Sequence, residues 1–287
     1  MIKSILAPLD GSEASFSALA NAVALGKAAG AEVRGLFVVD KWRFVYVPTS
    51  TAIAGAIGAA PTTNVPLPPE ELVEEENRAA LEEKGIKNCF DTECKAQGVK
   101  GTFKVVRGEV GELIIEAART VDLVVIGRRG KHTRKPEAHT PGSITLALLH
   151  KSARPVMVVP EGTRRGTHIL VAYDGSEASQ RAIEAGAMIA ELQASKTIDV
   201  LTVVDNPEDA AEPQREAGEY LTPHGLKASF FMESGRPWEA ISAHAGKTDA
   251  GLIVMGAFGM NRIKELIFGS TTLNVLENAK CPILLVA

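Results

Sequence analysis

The chain has 287 residues, 45% hydrophobic and 23% charged, and its 31 basic and 35 acidic side chains leave a net charge of −4. These are globular proportions; they exclude a disordered or collagen-like chain, and the acidic balance offers nucleic acid no general field, so any anion must be held locally. No run approaches the roughly 20 apolar residues that cross a bilayer, and the apolar run in the first ten residues is too short for a secretory signal, so a cytoplasmic protein that engages neither membrane nor nucleic acid is expected. Cys89, Cys94 and Cys281 form no CxxC pair, and the six histidines form no HxxxH or HExxH spacing, so neither a disulfide framework nor a metal site is expected.

In chain order, KSILAPL at 3–9 and AEVRGLFVV at 31–39 are apolar strands separated by a helical segment. Trp42, Phe44 and Tyr46 then alternate at strand-like spacing and are read as local packing. The small, proline-rich stretch at 47–69, with AIAGAIGAA inside it, is either a poorly ordered connection or a lid or docking patch; its prolines argue against regular structure. A charged helix follows over about 70–97, then strands GTFKVVR at 101–107, DLVVI at 122–126 and PVMVV at 155–159. The second half repeats the pattern with HILVAY at 168–173, IDVLTVV at 198–204, ASFFME at 228–233, GLIVM at 251–255 and PILLVA at 282–287. Helices are expected between these strands at about 177–192, 208–222, 237–246 and 270–279.

The repeat is literal in places. ILAPLDGSEAS at 5–15 returns as ILVAYDGSEAS at 169–179 with eight of eleven positions identical, an offset of 164. LVVIG at 123–127 returns as LIVMG at 252–256 with an offset of 129, so the first copy carries 35 extra residues before its fourth strand. Two domains follow, 1–162 and 166–287, each large enough for its own core. Strands as continuously apolar as LVVI and LIVM suit burial on both faces, so each domain is expected to be an α/β, doubly wound parallel sheet flanked by helices. Ligands of such sheets lie beyond the strand carboxyl ends, where the winding reverses.

At that end of the second copy stands GAFGMNRIKELIFGSTTLNVL, in which Gly256, Gly259 and Gly269 precede Ser270 with the spacing G-x2-G-x9-G-S. Glycines permit close backbone approach, a helix start points free N–H groups at an anion, and Ser270 either caps that helix or bonds a phosphate oxygen. In the first copy Gly127 and Gly130 recur, but eleven residues rather than nine separate Gly130 from Gly142 and Ser143. The intervening loop carries Arg128, Arg129, Lys131, Arg134 and Lys135, which either strengthen a phosphate grip or make a solvated loop whose insertion breaks it. His132 and His139 in the same loop are read as solvated. No GxxxxGK[ST] or GxSxG pattern and no catalytic constellation appears.

With these spacings, and with Asp10 and Asp174 ending the first strand of each copy, the chain resembles the universal stress protein family in its tandem, nucleotide-binding form. The resemblance covers nearly the whole chain and implies two Rossmann-like, adenine-nucleotide hydrolase-like domains of strand order 3-2-1-4-5, with ATP between strands one and four. It further implies that the base and ribose meet Ala172, Tyr173, Asp174, Val203 and Met255, and the phosphates Gly256, Gly259, Gly269, Ser270 and Thr271. Pro8, Leu9, Asp10 and Val38 are the matching base-side positions of the first copy, and Gly127, Gly130, Gly142 and Ser143 the matching phosphate side. Asp174 has a plainer alternative, as the start of an Asp-Gly-Ser turn that opens a helix. The implied function is a stress-response binding or signalling module for ATP or a related adenine nucleotide, with or without magnesium. The alternatives are a slow ATP-hydrolysing enzyme and an interaction protein with vestigial pockets. The family also pairs domains through their last strands, so PVMVV and PILLVA are expected side by side within the chain, and a symmetric homodimer is the default beyond that.

The nine-residue loop of the second copy has Arg262 and Lys264 as its basic residues, so its phosphate affinity is expected to come from backbone N–H groups. Gly269→Val should then remove the salt-tolerant part of ATP binding and leave a weaker, salt-sensitive part, exposed charges being screened over about 10 Å at 0.1 M salt. Calorimetric titration at low and high salt measures this; unchanged high-salt binding would place the main site elsewhere.

Overall fold

The computed structural model of the chain describes residues 1–46, 65–131, 141–163, 166, 168–194, 196–257 and 269–286. Gly259, Arg134, Lys135, His132, His139, Arg262, Lys264 and the AIAGAIGAA run lie outside the described residues.

The first domain runs β1 (Ser4–Leu9), α1 (Glu13–Ala29), β2 (Glu32–Asp40), a 3-10 turn (Lys41–Phe44), β3 (Val45–Tyr46), β4 (Val65–Pro66), α2 (Pro69–Gln97), β5 (Gly101–Gly108), α3 (Val110–Ala118), β6 (Leu123–Gly127), α4 (Ser143–Lys151) and β7 (Val156–Val159). The second runs β8 (Ile169–Ala172), α5 (Glu177–Glu191), β9 (Thr197–Val203), α6 (Glu208–Leu221), β10 (Lys227–Glu233), α7 (Pro237–Lys247), β11 (Leu252–Gly256), α8 (Ser270–Asn278) and β12 (Ile283–Val286).

Two of the helix starts are written locally. Ser12 caps α1 by accepting the Ser15 N–H, and Ser176 caps α5 by accepting the Ser179 N–H. Gly30 and Gly98, both left-handed, end α1 and α2, a conformation that costs glycine no Cβ clash. The alternation of Trp42, Phe44 and Tyr46 does not make one strand. The Asp40 carboxylate accepts the Trp42 N–H at 3.0 Å and starts the 3-10 turn instead, and only Val45–Tyr46 is extended, paired with β4.

The main sheet has ten strands in the order β10-β9-β8-β11-β12-β7-β6-β1-β2-β5. Within each domain this is 3-2-1-4-5 with parallel pairing throughout, the doubly wound arrangement. Between the domains β12 pairs antiparallel with β7, Leu284 opposite Met157. Apolar cores cover both faces: Ile5, Val33, Val125, Met157, Val171, Val254 and Leu284 on the α1/α5 side, and Leu6, Val124, Val158, Leu170, Ile253 and Leu285 on the other. Each cluster draws on both domains, so burial does not stop at the domain boundary. Among the described residues no helix is long and apolar enough to cross a membrane.

Met157 is fully buried at this join. Met157→Ala should cost about 2–5 kcal/mol, the range for emptying such a core position. In urea the whole unfolding curve should move to lower denaturant, whereas a shift confined to one of two separate transitions would show that the halves do not share a core.

Candidate functional site

In the first domain the winding reverses at β1: β2 and β5 lie to one side, β6 and β7 to the other. The carboxyl ends of β1 and β6 diverge there around a cavity of about 280 Å³. Its walls include Pro8, Leu9, Asp10, Val38, Gly127, Gly130, Gly142 and Ser143, all eight positions singled out in the first copy. The corresponding described positions of the second copy end β8, β9 and β11 and begin α8: Ala172, Tyr173, Asp174, Val203, Met255, Gly256, Gly269, Ser270 and Thr271.

The individual roles differ from the simple cradle. A Cβ on Gly127 would lie 2.8 Å from the Ala14 carbonyl carbon, and one on Gly256 would lie 2.8 Å from that of Ala178. The first glycine of each copy is therefore demanded by the close seating of α1 on β6 and of α5 on β11, with or without a ligand. Asp10 and Asp174 each accept two hydrogen bonds from the following serine. For Asp10 the Ser12 N–H lies at 3.0 Å and the hydroxyl at 2.6 Å; for Asp174 the Ser176 distances are 3.1 and 2.6 Å. The plainer helix-opening reading of Asp174 is thus part of its work. Asp10 also accepts the Lys131 N–H at 2.6 Å, which ties the loop after β6 to the end of β1. Tyr173 is buried, its hydroxyl 3.4 Å from a Glu216 carboxylate oxygen; burial and then the Glu216 charge raise its pKa.

The serines are not caps. Gly142 and Gly269 occupy the cap positions with no side-chain cap bond, and Ser143 and Ser270 are the first helical residues. The first hydrogen bond inside α4 runs from Leu146 N–H to Gly142 C=O, and in α8 from Leu273 to Gly269. The N–H groups of Ser143, Ile144 and Thr145 hence have no acceptor within their helix, and Ser143 and Ile144 line the cavity. Thr145 and Thr272, both buried, hold these helices to the strand ends by donating to the carbonyls of Gly127 and Ala257 at 3.1 Å.

The basic cluster of the first loop is divided, because successive residues leaving a strand point opposite ways. Arg129 lines the cavity. Arg128 turns away and donates to the carbonyls of Leu276, Glu277 and Ala279 at 3.2–3.4 Å, at the end of α8 in the other domain. Burial, then the Arg129 charge, lowers its pKa. Lys131 donates to Glu82 at 2.8 Å.

Sequence reasoning missed Arg43, Glu82, Asp40 and Glu109, which also line the cavity. Arg43 donates to Glu75 and Glu82 at 2.6 Å each. Burial opposes charge on both Arg43 and Glu82. The bonds from Lys131 and Arg43 nevertheless hold Glu82 below its ordinary range, and its two carboxylates hold Arg43 above its own. Glu109 accepts from the Trp42 indole N–H at 2.9 Å. Arg43 and Glu82, both within the longer stretch between the second and third strands of the first copy, therefore add to the wall of the crevice. The available signal was the seven-residue spacing of Glu75 and Glu82, which puts both on one face of α2.

The model of the universal stress protein family matches residues 1–160 and again 166–287. A universal stress protein of Synechocystis sp. is 27% identical over 292 residues, covering 99% of this chain and 99% of that one. One from Thermus aquaticus is 30% identical over 132 residues, covering 41% of this chain and 96% of its own. The crystal structure of a universal stress protein from Archaeoglobus fulgidus superposes with a TM-score of 0.74 at 22% identity, covering 99% of this chain and 97% of that one.

The two kinds of glycine should separate in a thermal melt. Gly127→Ala forces a methyl against the α1 backbone and should lose about 1–3 kcal/mol. Gly142 is extended, with nothing nearer than 3.6 Å to an added Cβ, so Gly142→Ala should lose less, about 1 kcal/mol for the weaker helix cap.

Proposed function

Because the chain belongs to the universal stress protein family, we propose that it is a cytoplasmic stress-response module that binds an adenine nucleotide at the carboxyl ends of its strands, any hydrolysis being slow. The observation that carries this reading is the convergence of Pro8, Leu9, Asp10, Val38, Gly127, Gly130, Gly142 and Ser143 on one cavity beside an uncapped helix start. The apolar strand ends suit the faces of a base. The first N–H groups of α4, which have no acceptor within their helix, and the positive end of its dipole suit a phosphate. At about 280 Å³ the cavity is close to the lower end of the usual range of about 300–1,000 Å³ for small-molecule sites. It therefore accommodates the nucleoside part, with the phosphates directed outward along the start of α4.

Ala172, Tyr173, Asp174, Val203, Met255, Gly256, Gly259, Gly269, Ser270 and Thr271 make the second site in this proposal, and magnesium would accompany ATP as part of the bound ligand. The β7–β12 ladder supports an internal pairing of the two domains.

Calorimetric titration with ATP, ADP and AMP tests the proposal. Two classes of site should appear in the wild type, and Gly142→Val should abolish one of them while the protein stays folded. Absence of binding by all three nucleotides would overturn the reading, and unaltered stoichiometry in Gly142→Val would remove the first crevice from it.

A further inference from the structure

The ten-stranded sheet ends on β5 at one side and β10 at the other, and the two edges differ. β5 is backed by Phe90 and Cys94 of α2, and its exposed charges, Lys104 and Arg107, are both basic, an arrangement that repels a second edge. β10, KASFFME, carries Phe230 and Met232 with 39% and 40% of their surfaces exposed. Its charges are opposite in sign and stand at its two ends, Lys227 and Glu233.

The hydrogen-bonding direction of β10 is fixed by its neighbour. Lys227 N–H donates to Lys196 C=O at 2.8 Å, and Glu233 C=O accepts from Val204 N–H at 3.0 Å, so residues 227, 229, 231 and 233 turn their backbone groups toward β9. Ala228, Phe230 and Met232 consequently turn theirs outward.

We propose that β10 is a homodimerisation edge, on which a second copy of this chain adds its own β10 antiparallel with the twofold axis at Phe230. An axis through a hydrogen-bonded pair requires an outward-facing residue, which restricts it to Ala228, Phe230 or Met232. Only the Phe230 register sets Lys227 directly opposite Glu233 of the second copy, and it does so twice by symmetry. Ala228 then exchanges backbone hydrogen bonds with Met232 of the second copy, and Phe230 with its own equivalent, so the exposed aromatic surfaces meet at the axis. Lys227 makes no ion pair among the described residues, while Glu233 faces Lys247 at 3.5 Å in the same chain. The dimer thus supplies the lysine with its counter-ion, and the contact is isologous and closed.

Sedimentation velocity over a concentration series tests this on the full chain. The wild type should approach twice its 30.4 kDa mass as concentration rises. Lys227→Glu places like charges in register and should raise the dimer dissociation constant about tenfold or more. The double reversal Lys227→Glu with Glu233→Lys should restore it. Phe230 also touches the α6 surface at Gly218, so thermal melts must show each variant folded. Amide exchange supplies a reading that needs no variant: Ala228, Phe230 and Met232 should exchange rapidly in dilute wild type and slow as the dimer forms. A wild type that stays monomeric, a dimer indifferent to Lys227→Glu, failure of a folded double reversal to rescue, mass that grows without limit, or concentration-independent exchange at those amides would each overturn the proposal.

Discussion

The antiparallel ladder between β7 and β12 is the contact on which the architecture depends. Without it each domain would expose a fully apolar strand, VMVV or ILLV, as a sheet edge, the kind of surface that pairs indiscriminately. With it the two sheets become one, and the core on each face passes through the join without interruption. The ladder also orients the crevices. Strands within a domain run parallel but reverse direction across the join, so the carboxyl ends of β1 and β6 lie at one end of the sheet and those of β8 and β11 at the other.

Within a domain, a second constraint carries the crevice. The Asp-Gly-Ser turn after the first strand binds its aspartate to the serine that caps the next helix, and that helix presses on the glycine ending the fourth strand. Strand one, helix one and strand four are locked together by residues adjacent in sequence to the cavity wall. The rim of the crevice in the first domain is built differently, from the largely covered Arg43 and Glu82 and the more exposed Lys131, which join three separate segments. The Lys131–Glu82 pair, with its lysine exposed, contributes little stability of its own, and the group as a whole ties α2 to the loop after β6.

Much of this was legible in the sequence because the informative patterns are local. Apolar runs such as LVVI and LIVM mark doubly buried strands, and the near-identical ILAPLDGSEAS and ILVAYDGSEAS fix the equivalence of the domains. The eight first-copy positions that line the cavity were legible for the same reason, since most of them stand at a strand end or a helix start. Three things were not. That Ser143 and Ser270 stand one place past the cap depends on the backbone angles of Gly142 and Gly269, which composition does not encode. That Glu82 reaches the crevice depends on how α2 packs, a contact between residues far apart in the chain. That Arg128 leaves the basic cluster depends on the neighbouring domain, and no spacing within its own loop records it.

Arg128 also shows what fusing two copies permits. Its place in the second copy is taken by Ala257, whose methyl group can bond no carbonyl, so α8 has its end satisfied from across the join while Ala257 returns nothing to α4. Two identical chains meeting on a twofold axis would carry such a contact on both sides or on neither. Joined in one polypeptide, the copies are released from that obligation: each position facing the pseudo-axis can drift alone, and a duplicated gene acquires a left half and a right half with separate histories.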